Sequence, residues 1–298
     1  MAEIVPARPG RLDVVLAEAL GLTRAETQRA ISDGRVLVDG AARAKSHRLE
    51  GSERIEIDLG GFGALEPDDA GVEVRYRDEH LLVVSKPPGV PTHPTENRRT
   101  GTLVNRLIGM GVPLSGAGGP LRPGIVHRLD AGTSGLIVVA SDDQTHQELT
   151  ELFRRHAVDR RYLALVRGVV AHDRFEVDAP LRRARTRIRV DRAAGRRAET
   201  SFDTVERLAR ATLLEAAPRT GRTHQIRVHL AAVGHPILGD VRYGGGGDDA
   251  KVLGLTRPFL HSARLSFEHP ITGRQVSVGD PLPDDLAAAL ELARAATA

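Results

Sequence analysis

The sequence predicts an α+β protein of two domains, in which the larger domain has a mixed, mostly antiparallel sheet with flanking helices. The chain of 298 residues is long enough for two hydrophobic cores. Apolar segments of strand length outnumber the helical patterns and do not alternate strictly with them, which disfavours a doubly wound parallel fold. A Gly- and acid-rich stretch at 61–71 is predicted as the linker between the domains.

The first domain, residues 1–60, is predicted as a small α+β module. Its first helix is indicated by apolar residues at i, i+3, i+4, i+7 and i+8 spacing, namely Leu12, Val15, Leu16, Ala19 and Leu20. Residues 23–26 have the pattern of a capping box for a second helix, which Gly34 is placed to end. A strand from Val36 then leads into a tight turn at Asp39-Gly40, and another strand follows at 54–58.

The second domain, residues 72–298, contains the remaining elements. Strands are predicted near 72–76, 81–85, 136–140, 161–167, 186–190, 200–206 and 211–216. Helices are predicted near 101–110, 142–156, 223–233 and 283–296.

Composition narrows the classes of function. The chain has no Cys, so disulfides, thiol nucleophiles and Cys-ligated zinc are excluded. No apolar run reaches the ~18 residues of a membrane-spanning helix, and the first residues lack the apolar core of a secretion signal. We therefore expect a cytoplasmic monomer with no membrane partner. All but three of its 42 basic Lys and Arg residues are Arg, which suits bidentate contacts to phosphate.

The segment 127–135 is the strongest candidate for chemistry. It places one acid, Asp130, among Arg, His, Gly and small hydroxyl residues, directly before an apolar strand. A turn attached to a buried strand can hold a reactive carboxylate in one place. The alternative interpretation is a turn or helix-capping aspartate, the usual role of Asp in such a position.

A carboxylate that acts as a nucleophile needs a nearby cation to keep it ionised. Arg222 is the best candidate, at a predicted strand-to-helix junction where Thr223 can cap the helix. A cation is disfavoured at a helix N-terminus unless it has a specific anionic partner. We therefore expect Arg222 to have a specific anionic partner; the alternative is an ordinary surface arginine.

Two other kinds of site are disfavoured by spacing. Ser134, His127 and Asp130 lie too close in sequence to form a catalytic triad, and no G-x-S-x-G turn is present. His224 and His229 are five residues apart and no H-E-x-x-H motif occurs, so no metal site is expected.

Residues 181–197 contain eight Arg and one Asp. A charge run of this kind is usually a solvated surface, but its density also suits a phosphate-contact surface. The first members of the run are the candidates for such contacts: Arg182, Arg183 and Arg185.

Several motifs together resemble those of the RluA-type pseudouridine synthases that carry an S4 RNA-binding domain. Residues 11–58 resemble the S4 domain in their order of elements. In the remainder, the matching segments are 127–135 (HRLD-x-x-TSG), 221–227 (G-R-T-H-Q-I-R), 160–164 (R-x-Y-x-A), 239–244 (G-D-x-x-Y-G) and 85–89, where Ser85 replaces the Asn of N-K-P-x-G.

The resemblance implies isomerisation of uridine to pseudouridine in RNA without a cofactor or metal, with large-subunit ribosomal RNA as the leading substrate. It implies that Asp130 is the catalytic aspartate, which attacks the nucleotide or removes a proton, that Arg222 pairs with it, and that Tyr162 packs on the uracil and assists proton transfer. Arg128 would fill the stack left by the flipped-out base. The S4-like module would contact phosphates through basic residues that include Arg11, Arg24, Arg29 and Arg35.

Other functions stay open on the sequence alone. They are an S4-type protein that binds RNA without chemistry, a synthase that acts on tRNA, and a glycosidase that releases bases from nucleosides. The combination of Asp130, Tyr162 and Arg222 argues against the first. The S4-like module and the arginine run argue against a small substrate.

Overall fold

A computed structural model of the chain describes residues 2–20, 22, 24–58, 65–95 and 98–296. The proximity of Cα atoms divides the chain into two compact units. The first comprises 1–71, 93–126 and 139–147, and the second comprises 72–92, 127–138 and 148–298. The first unit thus contains more than the predicted N-terminal domain, and the boundaries at residues 60 and 72 stay a prediction.

The first unit begins with an α+β module. Its elements are β1 (Ala2–Pro6), β2 (Gly10–Arg11), α1 (Leu12–Ala19), α2 (Arg24–Ser32), β3 (Val36–Val38), β4 (Arg48–Leu49) and β5 (Arg54–Asp58). β1, β5 and β3 form an antiparallel sheet in that order, and β2 pairs with β4. The apolar face predicted for α1 lies in the core of this module, except that Ala19 is exposed.

The turn after β3 is the predicted Asp-Gly turn. Asp39 and Gly40 both have positive φ, 50° and 73°, as a type I′ turn requires. Val38 and Ala41 exchange both backbone hydrogen bonds across it. Gly34 also has a positive φ, 71°, after the end of α2. The predicted capping box lies outside the described residues at Thr23, and so do residues 59–64, which include the first four residues of the predicted linker.

The remaining elements follow in chain order. They are β6 (Glu73–Arg77), β7 (Leu81–Lys86), α3 (Leu103–Gly109), β8 (Ser134–Ala140), α4 (Asp143–Arg154), β9 (Asp159–Arg167), β10 (Arg174–Asp178), β11 (Leu181–Ala184), β12 (Arg187–Val190), β13 (Glu199–Arg207), β14 (Ala211–Pro218), α5 (Gln225–Ala232), α6 (Asp248–Val252), β15 (Leu260–Glu268), β16 (Gln275–Gly279) and α7 (Asp284–Ala295). None of the helices in the described ranges is long and apolar enough to cross a membrane.

Nine of the described strands form one sheet. Its order is β10-β13-β14-β9-β15-β8-β7-β6, and β16 pairs with β15. Antiparallel pairs predominate, whereas β15 and β8 pair parallel. The predicted α+β class with a mixed, mostly antiparallel sheet is therefore confirmed.

β15 lies in the middle of this sheet but was not predicted. Its residues His261 and Ser262 are buried yet polar, so the strand lacks a continuous apolar pattern. His261 Nδ1 lies 3.0 Å from Ser134 Oγ, and Ser262 Oγ donates to Leu136 O at 3.2 Å. Buried polar side chains are tolerated when their hydrogen bonds are satisfied, and sequence periodicity does not reveal such partners.

β11 and β12 form a two-stranded hairpin, here called the arginine hairpin (residues 181–190). Leu181, Ile188 and Val190 share one face and pack in a small apolar cluster with Val228 of α5. On the opposite face, Arg182 stands directly across from Arg189. The hairpin is thus apolar towards α5 and basic on its other face.

Candidate active site

Asp130 lies in a turn that is held at both ends. The turn is closed by the Thr133 N–H, which donates to the Asp130 backbone oxygen at 3.0 Å, and β8 begins at the next residue. Before it, the buried Thr92 hydroxyl accepts from the Leu129 N–H at 3.2 Å and donates to the Leu129 oxygen at 2.9 Å. The backbone around Asp130 is therefore fixed, as the sequence predicted.

Lys86 anchors the other side of the same turn. Its side chain is fully buried, and Nζ donates to the backbone oxygens of Pro87 (2.8 Å), Val90 (2.8 Å) and Ala131 (3.3 Å). The Gly89 N–H also donates to the Ala131 oxygen, at 2.8 Å. The segment that resembles N-K-P-x-G therefore holds the residue next to Asp130.

Replacing Lys86 by Met is expected to destabilise the fold. Met fills the volume of the lysine stem but removes three hydrogen bonds; the Ala131 oxygen keeps the Gly89 N–H, whereas the Pro87 and Val90 oxygens lose their Nζ donor, which costs about 3 kcal/mol of unfolding free energy. Chemical denaturation of Lys86→Met measures this loss.

Lys251→Met is the matched control, because the Lys251 side chain is 79% exposed and pairs only with the exposed Asp248. Its unfolding free energy should equal that of the wild type. Equal stability of both variants would contradict an anchoring role for Lys86.

His127 has a structural role in the turn. Its Nε2 accepts from the Val138 N–H at 3.0 Å, and its ring stacks on Phe153 with centroids 4.5 Å apart. Burial, with a contribution from the Arg160 charge, lowers the pKa of His127 to about 3. The imidazole is therefore neutral and already engaged as an acceptor. The Ser134 hydroxyl contacts His261 instead, so these residues do not form a triad.

A pocket opens over Asp130, and its empty volume, which includes open solvent, is about 540 Å³. Its charged and aromatic lining consists of Arg128, Asp130, Arg160, Tyr162, Arg222, His224 and Arg227. The three predicted catalytic residues are therefore brought to one cavity.

Asp130 is paired with Arg227. The Arg227 Nη1 donates to Asp130 Oδ2 at 2.9 Å. The same guanidinium donates to the buried Asp240 through Nε at 2.6 Å and Nη2 at 2.9 Å. Burial alone would lower the pKa of Arg227, but the hydrogen bonds and charges of Asp240 and Asp130 outweigh burial and raise it. Arg227 is thus a fixed cation between two carboxylates.

The predicted ion pair between Arg222 and Asp130 is wrong in this structure. The Arg222 Nε donates to the Arg197 backbone oxygen at 3.1 Å, and no carboxylate of the described residues lies within 4 Å of the Arg222 guanidinium. Burial and the neighbouring Arg196 lower the pKa of Arg222. The reason is the position of each arginine relative to α5. Arg222 lies in the loop before the helix, whereas Arg227 lies inside the helix and reaches Asp130.

Thr223 is not the cap of α5. His224 occupies that position with φ 55° and makes no capping hydrogen bond. Its Nδ1 lies 2.7 Å from the Tyr243 hydroxyl, and its Nε2 lies 3.8 Å from Asp130 Oδ2. His224 directly precedes α5 and Arg227 lies in its first turn, and the G-R-T-H-Q-I-R motif in the sequence contained both residues.

Tyr162 lies on β9 and is buried, 6% exposed, at the pocket wall. Burial raises the pKa of Tyr162, and the charge of Asp130 adds to the rise. The phenol therefore stays protonated at neutral pH and can act as a hydrogen-bond donor. The sequence located this residue, and the G-D-x-x-Y-G motif contained Asp240 and Tyr243, but the sequence did not show that these two contact Arg227 and His224.

The arginines predicted to bind RNA fall into three places. In the N-terminal module, Arg11 and Arg24 converge on the fully buried Asp13, with N–O distances of 3.0 and 2.9 Å, and both guanidinium groups stay about half exposed. Hydrogen bonds from Arg11, with further ones from Arg24 and Gln28, lower the pKa of Asp13 in spite of its burial. Arg29 is exposed on α2, and Arg35 pairs with Asp33.

The second and third places lie in the other unit. Arg128 is exposed beside Asp130 at the pocket. Arg182, Arg183 and Arg185 are exposed on the arginine hairpin, where Arg185 has a positive φ of 46° at the tip. The basic face contains Arg182 together with Arg187 and Arg189, which the prediction did not select, whereas Arg183 is paired with Ile188 on the other face.

Two family models match the chain in separate segments. Residues 80–232 match the RNA pseudouridylate synthase family, and residues 10–55 match the S4 domain. The first match spans the Asp130 turn, Tyr162 and α5, and the second spans the module that holds Arg11 and Arg24.

Relatives and solved structures agree with these matches. The chain is 38% identical to the uncharacterized RNA pseudouridine synthase YlyB of Bacillus subtilis, over 94% of this chain and 93% of the relative. It is 39% identical to the ribosomal large subunit pseudouridine synthase D of Zymomonas mobilis, over 93% and 91%. The structure of human RNA pseudouridylate synthase domain containing 4 aligns with a TM-score of 0.59 and 25% identity, over 74% of this chain and 93% of that one. The chain therefore belongs to the RNA pseudouridylate synthase family, and it is an RNA pseudouridine synthase that carries an S4 domain.

Proposed function

We propose that the protein converts uridine to pseudouridine in large-subunit ribosomal RNA, with Asp130 as the catalytic aspartate. The observation that carries the proposal is the single partly exposed carboxylate of Asp130, bound to the buried Arg227 in a pocket. Relatives described as ribosomal large subunit pseudouridine synthase D support the choice of substrate. Such a substrate would place the protein in the cytoplasm.

The reaction requires access to the glycosidic bond of a uridine. A stacked nucleotide must first leave its helix. Arg128, exposed at the rim of the pocket, would take the place of the extruded base. Tyr162 would pack against the uracil inside the pocket.

Asp130 then attacks the nucleotide or removes a proton from it, and the bond between C1′ and N1 breaks. Uracil turns within the pocket, C1′ bonds to C5, the C5 proton leaves and N1 takes up a proton. No atom is gained or lost overall, so the reaction needs no co-reactant. Arg227 stabilises the charge of Asp130 before and after the bond change, and the protonated Tyr162 phenol can assist the proton transfer.

Mapping of pseudouridine tests the substrate. Ribosomal RNA and tRNA from cells with and without the gene are compared, and the deletion is complemented with wild-type protein or with Asp130→Asn. We expect loss of pseudouridine at one or a few positions of large-subunit RNA, restored by the wild type alone. Loss confined to tRNA would overturn the ribosomal assignment, and restoration by Asp130→Asn would overturn the catalytic one.

We infer that the arginine hairpin contacts RNA phosphates. Like charges directly opposite each other destabilise a strand pair, and Arg182 and Arg189 are such a pair. Arg187 lies on the same face, and Asp191 is the acid near Arg182 and Arg189, at 3.4 and 3.7 Å. A polyanion would relieve this repulsion. Arg11 and Arg24, oriented by Asp13, would supply a second set of phosphate contacts in the S4 domain.

Removal of the basic face is expected to weaken RNA binding in a salt-dependent way. The triple variant Arg182→Gln, Arg187→Gln, Arg189→Gln should bind more weakly at low salt, and the slope of log affinity against log salt should fall by about 2. Filter binding over a salt series measures both quantities.

The control removes three exposed arginines elsewhere in the same unit: Arg154, Arg155 and Arg174, all to Gln. This variant should keep the wild-type slope. An equal change of slope in both triple variants would mean that net charge alone, and not the hairpin, determines the affinity.

A further inference from the structure

His224 has a left-handed backbone conformation that residues other than Gly rarely adopt, with φ 55° and ψ 23°. Residues at this position of a helix normally satisfy free N–H groups with their side chain. His224 makes no such hydrogen bond. Its imidazole extends instead between the Tyr243 hydroxyl and Asp130.

The hydrogen bonds of Tyr243 favour one of the two neutral forms of the His224 imidazole. The Tyr243 oxygen accepts from the Ile188 N–H at 3.3 Å. The phenol proton is then available to His224 Nδ1, 2.7 Å away. With Nδ1 as the acceptor, a neutral imidazole carries its proton on Nε2. That Nε2–H lies 3.8 Å from Asp130 Oδ2.

The charges around His224 favour this arrangement. Burial lowers the pKa of His224; Asp130 and Asp240 act in the opposite direction, whereas Arg227 and Arg242 act in the same direction as burial. A neutral ring with Nε2–H presents a donor to the carboxylate. The other tautomer would turn a lone pair towards it.

Both contacts fall on one oxygen of Asp130. Arg227 Nη1 and His224 Nε2 both approach Oδ2. Among the described residues, none is hydrogen-bonded to Oδ1. Contacts to Oδ2 from two directions orient the carboxylate and leave Oδ1 for the substrate. The distance from His224 exceeds that of a hydrogen bond, and such contacts often shorten only when substrate binds.

On this basis, and given the proposed role of Asp130, we propose that His224 is a positioning residue: the Tyr243 hydroxyl fixes its imidazole so that Nε2–H holds Asp130 Oδ2 and Oδ1 is presented to the nucleotide. The Ile188 N–H belongs to the arginine hairpin, so the hairpin is hydrogen-bonded through Tyr243 to the imidazole beside Asp130.

Two substitutions distinguish this hydrogen-bond donor role from a role in which His224 matters only because it adopts a positive φ. The amide of His224→Gln can place an N–H where Nε2 was, whereas the shorter His224→Asn can reach only Tyr243. Asn tolerates positive φ better than Gln does. A donor role therefore predicts that Gln is the more active variant, and a backbone role predicts that Asn is.

We expect His224→Asn to lower the single-turnover rate of pseudouridine formation about 100-fold and His224→Gln less than about tenfold. RNA affinity should be unchanged in both. His156 supplies the matched control, since it is also a histidine with positive φ, 59°, but is exposed outside the pocket. The unfolding free energies of His156→Asn and His156→Gln report what each side chain costs at a residue with positive φ. Both variants should keep full activity. Equal rates for the two His224 variants, or a faster Asn variant, would overturn the proposal.

A measurement without RNA tests the tautomer. In ¹⁵N spectra of histidine-labelled protein, with His224 assigned by its loss in His224→Asn, we expect the proton on Nε2 in the wild type. Tyr243→Phe, which keeps the ring under Arg227 (5.1 Å to the centroid), should leave the proton on Nε2 but shift the Nδ1 resonance, because Nδ1 loses its hydrogen bond from the phenol. A proton on Nδ1 in the wild type, or no change in Tyr243→Phe, would overturn the proposal. Full activity of Asp130→Asn would instead overturn the role of Asp130 itself, so the two failures can be told apart.

Discussion

Asp130→Asn should abolish pseudouridine formation and leave the protein folded. The amide has the shape of the carboxylate but cannot attack or accept a proton as an anion. We expect the single-turnover rate to fall by at least about 10⁴-fold, or ~5.5 kcal/mol of barrier. Tritium release from RNA labelled at C5 of uridine measures this rate directly.

Stability should change little in this variant, because Arg227 keeps both of its hydrogen bonds to Asp240. Asp248→Asn is the control, since the Asp248 side chain is 94% exposed and should be dispensable. Turnover of Asp130→Asn within about tenfold of the wild type, ~1.4 kcal/mol, would remove Asp130 from the mechanism.

Arg227→Lys is expected to have the second-largest effect. An ammonium group cannot donate to Asp240 through two nitrogens and to Asp130 through a third, as the guanidinium does. Asp130 would lose its fixed counter-charge, and the chemical step should slow by about 10³-fold, ~4 kcal/mol. Single-turnover rates and RNA titrations together separate this loss from a loss of affinity.

Arg222→Lys is the matched comparison, because Arg222 lines the same pocket but contacts a backbone oxygen in place of Asp130. We propose that Arg222 meets an RNA phosphate. Its substitution should therefore lower RNA affinity and leave the single-turnover rate within about tenfold of the wild type. A larger loss of rate in Arg222→Lys than in Arg227→Lys would restore Arg222 as the cation that acts on Asp130.

Short sequence patterns were sufficient to predict several elements of the fold. The heptad-like spacing of Leu12, Val15 and Leu16 predicted α1, because a single amphipathic helix carries its own signal. Asp39-Gly40 predicted its turn, because few residue pairs accept two positive φ angles. The apolar run before Ala140 predicted β8, which is buried throughout. Each of these signals is contained in a few consecutive residues.

Elements that depend on distant partners were not predictable in this way. β15 was missed because its buried His261 and Ser262 are satisfied by residues of β8, more than a hundred positions earlier. The two faces of the arginine hairpin were also not assigned, since only the register between β11 and β12 places Arg182 across from Arg189.

For the candidate active site, the sequence by itself identified Asp130 as the candidate carboxylate and placed it in a turn before a buried strand. The tertiary structure alone decided its counter-charge. Arg222 and Arg227 belong to one motif, and the left-handed backbone at His224 together with the position of Asp240 directs Arg227 to Asp130. Ion pairs depend on a few ångströms between side chains that are far apart in the chain, and spacing along the sequence does not set those distances.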